Sequence, residues 1–191
     1  MVHAAIARAT SRITLTTTAT VLSFLDPVRV YQDFATLDLV SHGRAEIIAG
    51  RSAFAEPFAL FGEDIAQLTD LYAEKLDLLL RLRNEDRVTW TGGSARHCRT
   101  LPPTRNPVGP LPIWVAVGGT PASAMRAGRL GLPMALGLIG GTIDHAKRPI
   151  DLYRTAGRDA GDPDDRTRQR SAGSPWQGTP RHQQPPPGAG A

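Results

Sequence analysis

The strongest chemical feature of this 191-residue chain is Val115-Ala116-Val117-Gly118-Gly119-Thr120-Pro121-Ala122-Ser123, an apolar run that breaks into two glycines and a helix start. Free backbone N–H groups and the positive end of a helix dipole meet the hydroxyls of Thr120 and Ser123 there, which is what an anion needs. Bare glycines let a ligand approach the backbone. The plainer reading is that Thr120 is only the N-cap before Pro121 and that the glycines only turn the chain. Arg51, in Gly50-Arg51-Ser52, is the second anion-competent group. It follows a short β-like run, where parallel α/β folds set their ligands, and a guanidinium grips phosphate in bidentate fashion. An exposed loop arginine is the alternative. Two such features after two different strands reinforce each other, because both would face the same rim of the sheet.

Other chemistry-bearing residues are isolated. His97 and Cys98 are adjacent but lack the two further ligands of a zinc site, so they read as loop residues. His42, in Ser41-His42-Gly43-Arg44, reads as a helix-terminal residue beside a capping glycine. His145 begins a helix near the strand ends, where it could line a pocket. Glu74-Lys75 reads as a solvated helix face. The chain has no Gly-x-Ser-x-Gly, phosphate-binding Walker loop, Gly-x-Gly-x-x-Gly or paired metal-ligand motif, which removes the commonest nucleophile, nucleotide and metalloenzyme readings.

The elements that must position these groups follow from periodicity and punctuation. Residues 3-10 read as the tail of a helix and 13-22 as a threonine-rich first strand. Arg8 and Arg12 before that run resemble an export signal, but its β-branched content and the lack of a small-residue cleavage pattern favour a strand. Asp26-Pro27 starts a helix with the apolar stripe Val28, Tyr31, Phe34, Leu37, and Gly43 stops it. A strand over 45-49 leads into a loop bearing Phe54, Phe58 and Phe61. A helix then runs from Glu63 to near Arg83, with Leu68, Leu71, Tyr72, Leu76, Leu79 and Leu80 at helical spacing. Residues 91-112 read as a proline- and glycine-rich connection. Strand 113-117, helix 121-130, strand 133-139, the turn Gly140-Gly141 and helix 145-157 complete the series. Strands alternating with helices predict parallel βαβ units, an α/β fold. From residue 158 to 191 no aliphatic side chain is larger than alanine, so this Arg/Pro/Gly-rich tail is expected to be disordered, beside one domain over 1-157.

Composition bounds the partners. The chain carries 22 Lys+Arg against 18 Asp+Glu, but only Lys75 and Lys147 are lysines and the cations are spread rather than clustered, which argues against nucleic acid. A single cysteine excludes an internal disulfide and fits a reducing, cytoplasmic compartment. No apolar run approaches the length of a membrane-spanning helix, so no membrane partner is expected.

Taken together, several motifs in order resemble the bacterial-luciferase-like flavin-dependent oxidoreductases. They are the stretch from Phe34 through Ser41-His42-Gly43-Arg44 to Gly50-Arg51, then Phe61-Gly62, Tyr72-Ala73-Glu74-Lys75, Leu111 to Ser123, Ala127 to Pro133, and Gly140-Gly141. The resemblance covers roughly residues 3-161. It implies a partial TIM (β/α)₈ barrel, lacking the first two strands with their histidine-bearing loop and the last two strands. A complete barrel needs about 250 residues. By the same resemblance Arg51 holds the flavin phosphate, and Gly118, Gly119, Thr120 and Ser123 form its second phosphate-binding element. Position 52, usually glycine in the family, is Ser52 and would crowd that turn. The implied chemistry is monooxygenation with reduced FMN and O₂ on a small organic substrate, the FMN coming from a separate flavin reductase. The alternatives are an F420-dependent hydride-transferring oxidoreductase and a non-catalytic fragment of a broken gene. An open parallel edge invites pairing, so a homo-oligomer is expected. The resemblance assigns no catalytic acid or base, since those residues belong to the missing strands.

Overall fold

A computed structural model describes residues 2–52, 54–62, 64–93, 98–101, 106–138 and 142–161. Helix α1 (Val2–Ala9) leads into β1 (Thr18–Val21), shorter than the 13-22 expected. Upstream of it only Leu15 touches the sheet, as a lone bridge to Ala45. Helix α2 (Pro27–Ser41) begins as expected: Asp26 accepts from the backbone N–H of Val28 at 2.8 Å and of Arg29 at 3.2 Å, with Pro27 in the first turn. Such a cap is worth about 1 kcal/mol. Its end differs slightly. His42 itself takes the left-handed conformation (φ 57°), followed by Gly43 (φ 82°), so the histidine is part of the helix stop.

Strand β2 (Ile47–Gly50) is followed by three departures from expectation. Glu56–Phe61 forms a short helix, α3, ended by Gly62 at φ 69°, where a loop was expected. Pro57 in its first turn and the glycine after it are the same signals that frame α2, in a segment too short for periodicity to register. The expected helix from Glu63 is divided: Asp64 caps a 3₁₀ turn over Ile65–Gln67 by accepting from Ala66 N–H at 2.9 Å, and α4 (Leu68–Asn84) follows. Strand β3 (Val88–Trp90), just before the expected connection, pairs antiparallel with β4 (Cys98–Leu101) inside it. Strands of three and four residues carry too little alternation to be read. The series ends with β5 (Ile113–Val117), α5 (Pro121–Arg129), β6 (Met134–Leu136) and α6 (Asp144–Asp159). Helix α6 runs two residues past the expected boundary. Gly140-Gly141 and residues 162–191 lie outside the described residues.

The main sheet has the order β1-β2-β5-β6, with every pair parallel. Ile47, Ala49, Ile113, Val115 and Val117 are each at most 1 % exposed and share a core with Tyr72, Leu76 and Leu79 of α4 and Ala124 and Ala127 of α5. Each leucine-sized side chain buried there contributes about 1.5–3 kcal/mol. Ile48, Trp114, Ala116 and Ala135 alternate with them on the opposite face and are half-buried. On that face the Trp114 indole N–H donates to Glu46 at 2.9 Å.

Two charged residues sit deeper than their types suggest. Asp38 is buried, accepting from Ala45 N–H at 3.1 Å and from Val108 N–H at 2.9 Å, which ties the approach to β5 to α2. Lys75, expected on a solvated face, is buried and donates to the Ser23 carbonyl at 2.6 Å, linking α4 to the chain just after β1. A buried ammonium persists only when it is hydrogen-bonded, and a sequence gives no view of a carbonyl 52 residues away.

Candidate functional site

All four parallel strands end on the same rim. Arg51 leaves the end of β2, and the Gly118-Gly119-Thr120 turn leaves the end of β5, the neighbouring strand. The structure brings these two features together: one guanidinium nitrogen of Arg51 donates to the Thr120 hydroxyl at 3.1 Å, the other to the Thr69 hydroxyl on α4 at 3.5 Å. Thr120 occupies the N-cap position of α5 by its backbone, but its side chain makes no capping bond. The plainer reading therefore describes its place in the chain and not its hydroxyl, which faces Arg51. Ser123, one turn into α5, is buried at 5 % exposure. Gly118 and Gly119 are exposed, and a Cβ built on either would meet nothing within 4 Å; Gly119 has φ +102°, which L side chains rarely adopt. The space above the turn is open, with the backbone laid bare to it.

The Ser52 hydroxyl is engaged locally. It donates to the Phe54 carbonyl at 2.8 Å and accepts from Phe54 N–H at 3.1 Å, a bond pair within its own loop.

Beside the turn lies a cleft of about 480 Å³ lined by Gly118, Gly119, Leu136, His145, Arg148 and Leu152, among others. His145 does line a pocket, then; its Nδ1 accepts from Thr142 N–H at 3.1 Å. His42 lies instead at the end of α2, and His97 is outside the described residues. No group of three or more metal-ligating side chains occurs among the described residues. Nor is any helix among them long and apolar enough to cross a membrane.

Tyr72 reaches from α4 to the end of β2 that carries Arg51. It is 1 % exposed, and its hydroxyl donates to the Ala49 carbonyl at 3.1 Å, two residues before Arg51. Burial pushes its hydroxyl up to about 12, against the opposing pull of the Arg126 and Arg51 cations. Because the folded value lies above the ordinary 10.0, this contribution to stability is whole below pH 10 and is lost as pH rises towards 12. The difference in phenolate absorbance between wild type and Tyr72→Phe is expected to titrate near pH 12. A difference titrating with exposed tyrosines near pH 10 would contradict a buried, hydrogen-bonded phenol.

Against known proteins, the profile of the luciferase-like monooxygenase family matches residues 1–173. The chain is 33% identical over 126 residues to an uncharacterized protein of Sinorhizobium fredii, covering 62% of this chain and 35% of that one. It is 29% identical over 131 residues to an F420-dependent glucose-6-phosphate dehydrogenase of Amycolatopsis mediterranei, covering 66% of this chain and 39% of that one. Among solved structures, the monooxygenase RslO1 of Streptomyces bottropensis superposes with a TM-score of 0.76 at 29% identity, over 83% of this chain and 49% of that one. The oxygenating component of a Pseudomonas putida 3,6-diketocamphane monooxygenase, in complex with FMN, shares the fold at a TM-score of 0.68 and 22% identity, over 86% of this chain and 49% of that one. The chain thus spans half or less of the length of each.

Proposed function

The chain belongs to the luciferase-like monooxygenase family, and from that premise we propose that it holds the phosphate of FMN between Arg51 and the Gly118, Gly119, Thr120 and Ser123 element, in an oxidation of a small organic substrate by O₂. The observation that carries this reading is the 3.1 Å bond from Arg51 to Thr120, which joins a cation from one strand end to a helix start from the next. Among the described residues no carboxylate pairs with Arg51, so its charge is free for an anion.

The residues fit the group. Arg51 supplies two parallel donors to phosphate oxygens, the Gly119 and Thr120 backbone N–H groups and the Thr120 hydroxyl supply more, and the α5 dipole favours the negative charge. Bound reduced FMN would supply the electrons that activate O₂, and a separate flavin reductase would deliver it. This chain's share is to bind and orient; none of its residues is given a proton-transfer role. Edge strands β1 and β6 have no second neighbour among the described residues, and we extend the proposal to self-association through them. Turnover by the 191-residue chain alone is expected to be low or absent, as for a non-catalytic fragment, when assayed for O₂ consumption with a reductase present.

A second reading, hydride transfer with F420, is favoured by the Amycolatopsis relative, which is named for that cofactor. The same phosphate residues would serve it.

Titration of FMN against the protein, followed by flavin fluorescence, tests the binding claim. Saturable binding is expected, weakened about tenfold or more in Arg51→Met, since a charge-assisted bidentate contact is worth roughly 1.5–3 kcal/mol. No binding at high micromolar FMN overturns the reading, and unchanged affinity in Arg51→Met removes that residue from the site.

A further inference from the structure

Arg126 was not singled out by any sequence feature, yet the structure lays it on Tyr72, the same tyrosine on which the Arg51 cation acts. It lies on α5, six positions after Thr120, and its guanidinium carbon is 5.4 Å from the ring centroid of Tyr72. Helical side chains lean back towards the helix N-terminus, the end at which the Gly118-Gly119-Thr120 turn opens α5. Tyr72 is the common reference point: its hydroxyl is bonded to the Ala49 carbonyl at the end of β2, and both Arg126 and Arg51 act on it electrostatically. Neither arginine has a carboxylate partner among the described residues. Two cations around one buried phenol, neither paired with a carboxylate among the described residues, repel each other, a cost that an anion between them removes.

We propose that Arg126 is a second cation of the phosphate site, and that the Arg51–Arg126 pair makes the site selective for a phosphomonoester dianion. This rests on the flavin-phosphate reading above and sharpens it. FMN ends in a monoester that carries close to two charges at neutral pH, whereas the corresponding phosphate of F420 is a diester with one. A single cation balances the diester; two balance the monoester. The charge count therefore favours FMN, and Arg126 is the residue that makes the difference.

Binding of FMN and of riboflavin, which lacks the phosphate, to wild type, Arg126→Met and Arg51→Met tests this. Arg126→Met is expected to weaken FMN about tenfold and leave riboflavin unchanged, with Arg126→Lys restoring part of the loss. A monoester's second ionisation lies near pH 6, so wild-type affinity for FMN should rise between pH 5 and pH 7.5, and that rise should shrink in Arg126→Met and be kept in Arg126→Lys, which retains the charge. Riboflavin binding, which needs the fold but not the phosphate, reports whether Arg126→Met is folded, and the part of the FMN loss that remains in Arg126→Lys, which gives up only the planar fork, is read independently of it. If Arg51→Met weakens FMN while both Arg126 variants bind and titrate like wild type, the second-cation proposal is overturned and the phosphate site stands. If wild type binds FMN no better than riboflavin, both fall.

Discussion

Gly128→Ala is expected to destabilise the protein by about 3 kcal/mol, where the same change in an exposed helix interior would stabilise by up to about 1 kcal/mol. Gly128 lies in α5 where it crosses α6. A Cβ there would sit 2.3 Å from the Tyr153 carbonyl oxygen, 3.0 Å from the Gly157 nitrogen and 3.2 Å from the Ala156 Cβ. Two of these three are backbone atoms of α6, so no rotamer change relieves the clash, and the helices must separate. Separation also strains the Tyr153 hydroxyl bond to the Leu132 carbonyl, 3.1 Å long, and opens the cleft between the 118–121 turn and His145. For a domain of this size the loss corresponds to a fall of about 10 °C in Tm. Gly118→Ala is the control, because its added Cβ meets nothing within 4 Å and should leave Tm unchanged. Equal Tm values for wild type and Gly128→Ala would mean that α5 and α6 are not in this contact.

The contrast between these two glycines shows what was legible and what was not. Gly118 announces itself, because Val-Ala-Val-Gly-Gly-Thr-Pro is a local pattern in which strand, turn and helix start are neighbours in the chain. Gly128 sits in a helix like any tolerated glycine, and its reason lies on α6, about 28 residues later. The same division runs through the fold. Strand β5 carries a continuous apolar run and helices α2 and α5 a cap residue with proline behind it, and each is found close to its expected place. Helix α3 and the β3–β4 hairpin are too short to build a period, and they were missed.

At the site, the sequence could place Arg51 and the 118–123 turn at the same rim because each follows a strand, and parallel strands end together. It could not show that β2 and β5 are adjacent, which is what puts a guanidinium 3.1 Å from the Thr120 hydroxyl. Tyr72 and Arg126 were invisible as site residues for a related reason. Tyr72 reads as core because it is core, and only its hydroxyl, bonded at the strand end, belongs to the rim. Lys75, next to Glu74 on an amphipathic helix, had the pattern of a solvated charge; its buried partner belongs to a segment before α2.

Arg44→Met should cost roughly 3 kcal/mol, an effect comparable to that of Gly128→Ala and seated at the other end of the sheet. Arg44 follows the end of α2, and its side chain donates five hydrogen bonds. Its Nε donates to the Ser41 carbonyl at 2.8 Å; one terminal nitrogen donates to the Thr10 hydroxyl at 3.1 Å and the Ile13 carbonyl at 2.8 Å; the other donates to the carbonyls of Ala7 and Thr10, each at 2.9 Å. The acceptors are the loose ends of two helices and the entry to the sheet: Ala7 and Thr10 at the end of α1, Ser41 at the end of α2, Ile13 before the bridge at Leu15. Helix carbonyls in the last turn have no partner of their own, and a cation among them also opposes the dipole's negative end. Methionine keeps the length of the stem but leaves four carbonyls and a hydroxyl without this donor. Lysine restores the charge but offers three donors from one point instead of a planar fork, so Arg44→Lys should recover less than half of the loss. Amide hydrogen exchange should localise the damage. Protection in α1 is expected to collapse in Arg44→Met, because the described contacts of α1 otherwise run chiefly to α2 and through His3 to the Thr16 carbonyl at 3.0 Å. The core of β2 and β5 should exchange more slowly and follow only the global loss. An Arg44→Met protein within about 0.5 kcal/mol of wild type, with α1 still protected, would show that packing rather than this fork fastens the helix to the sheet.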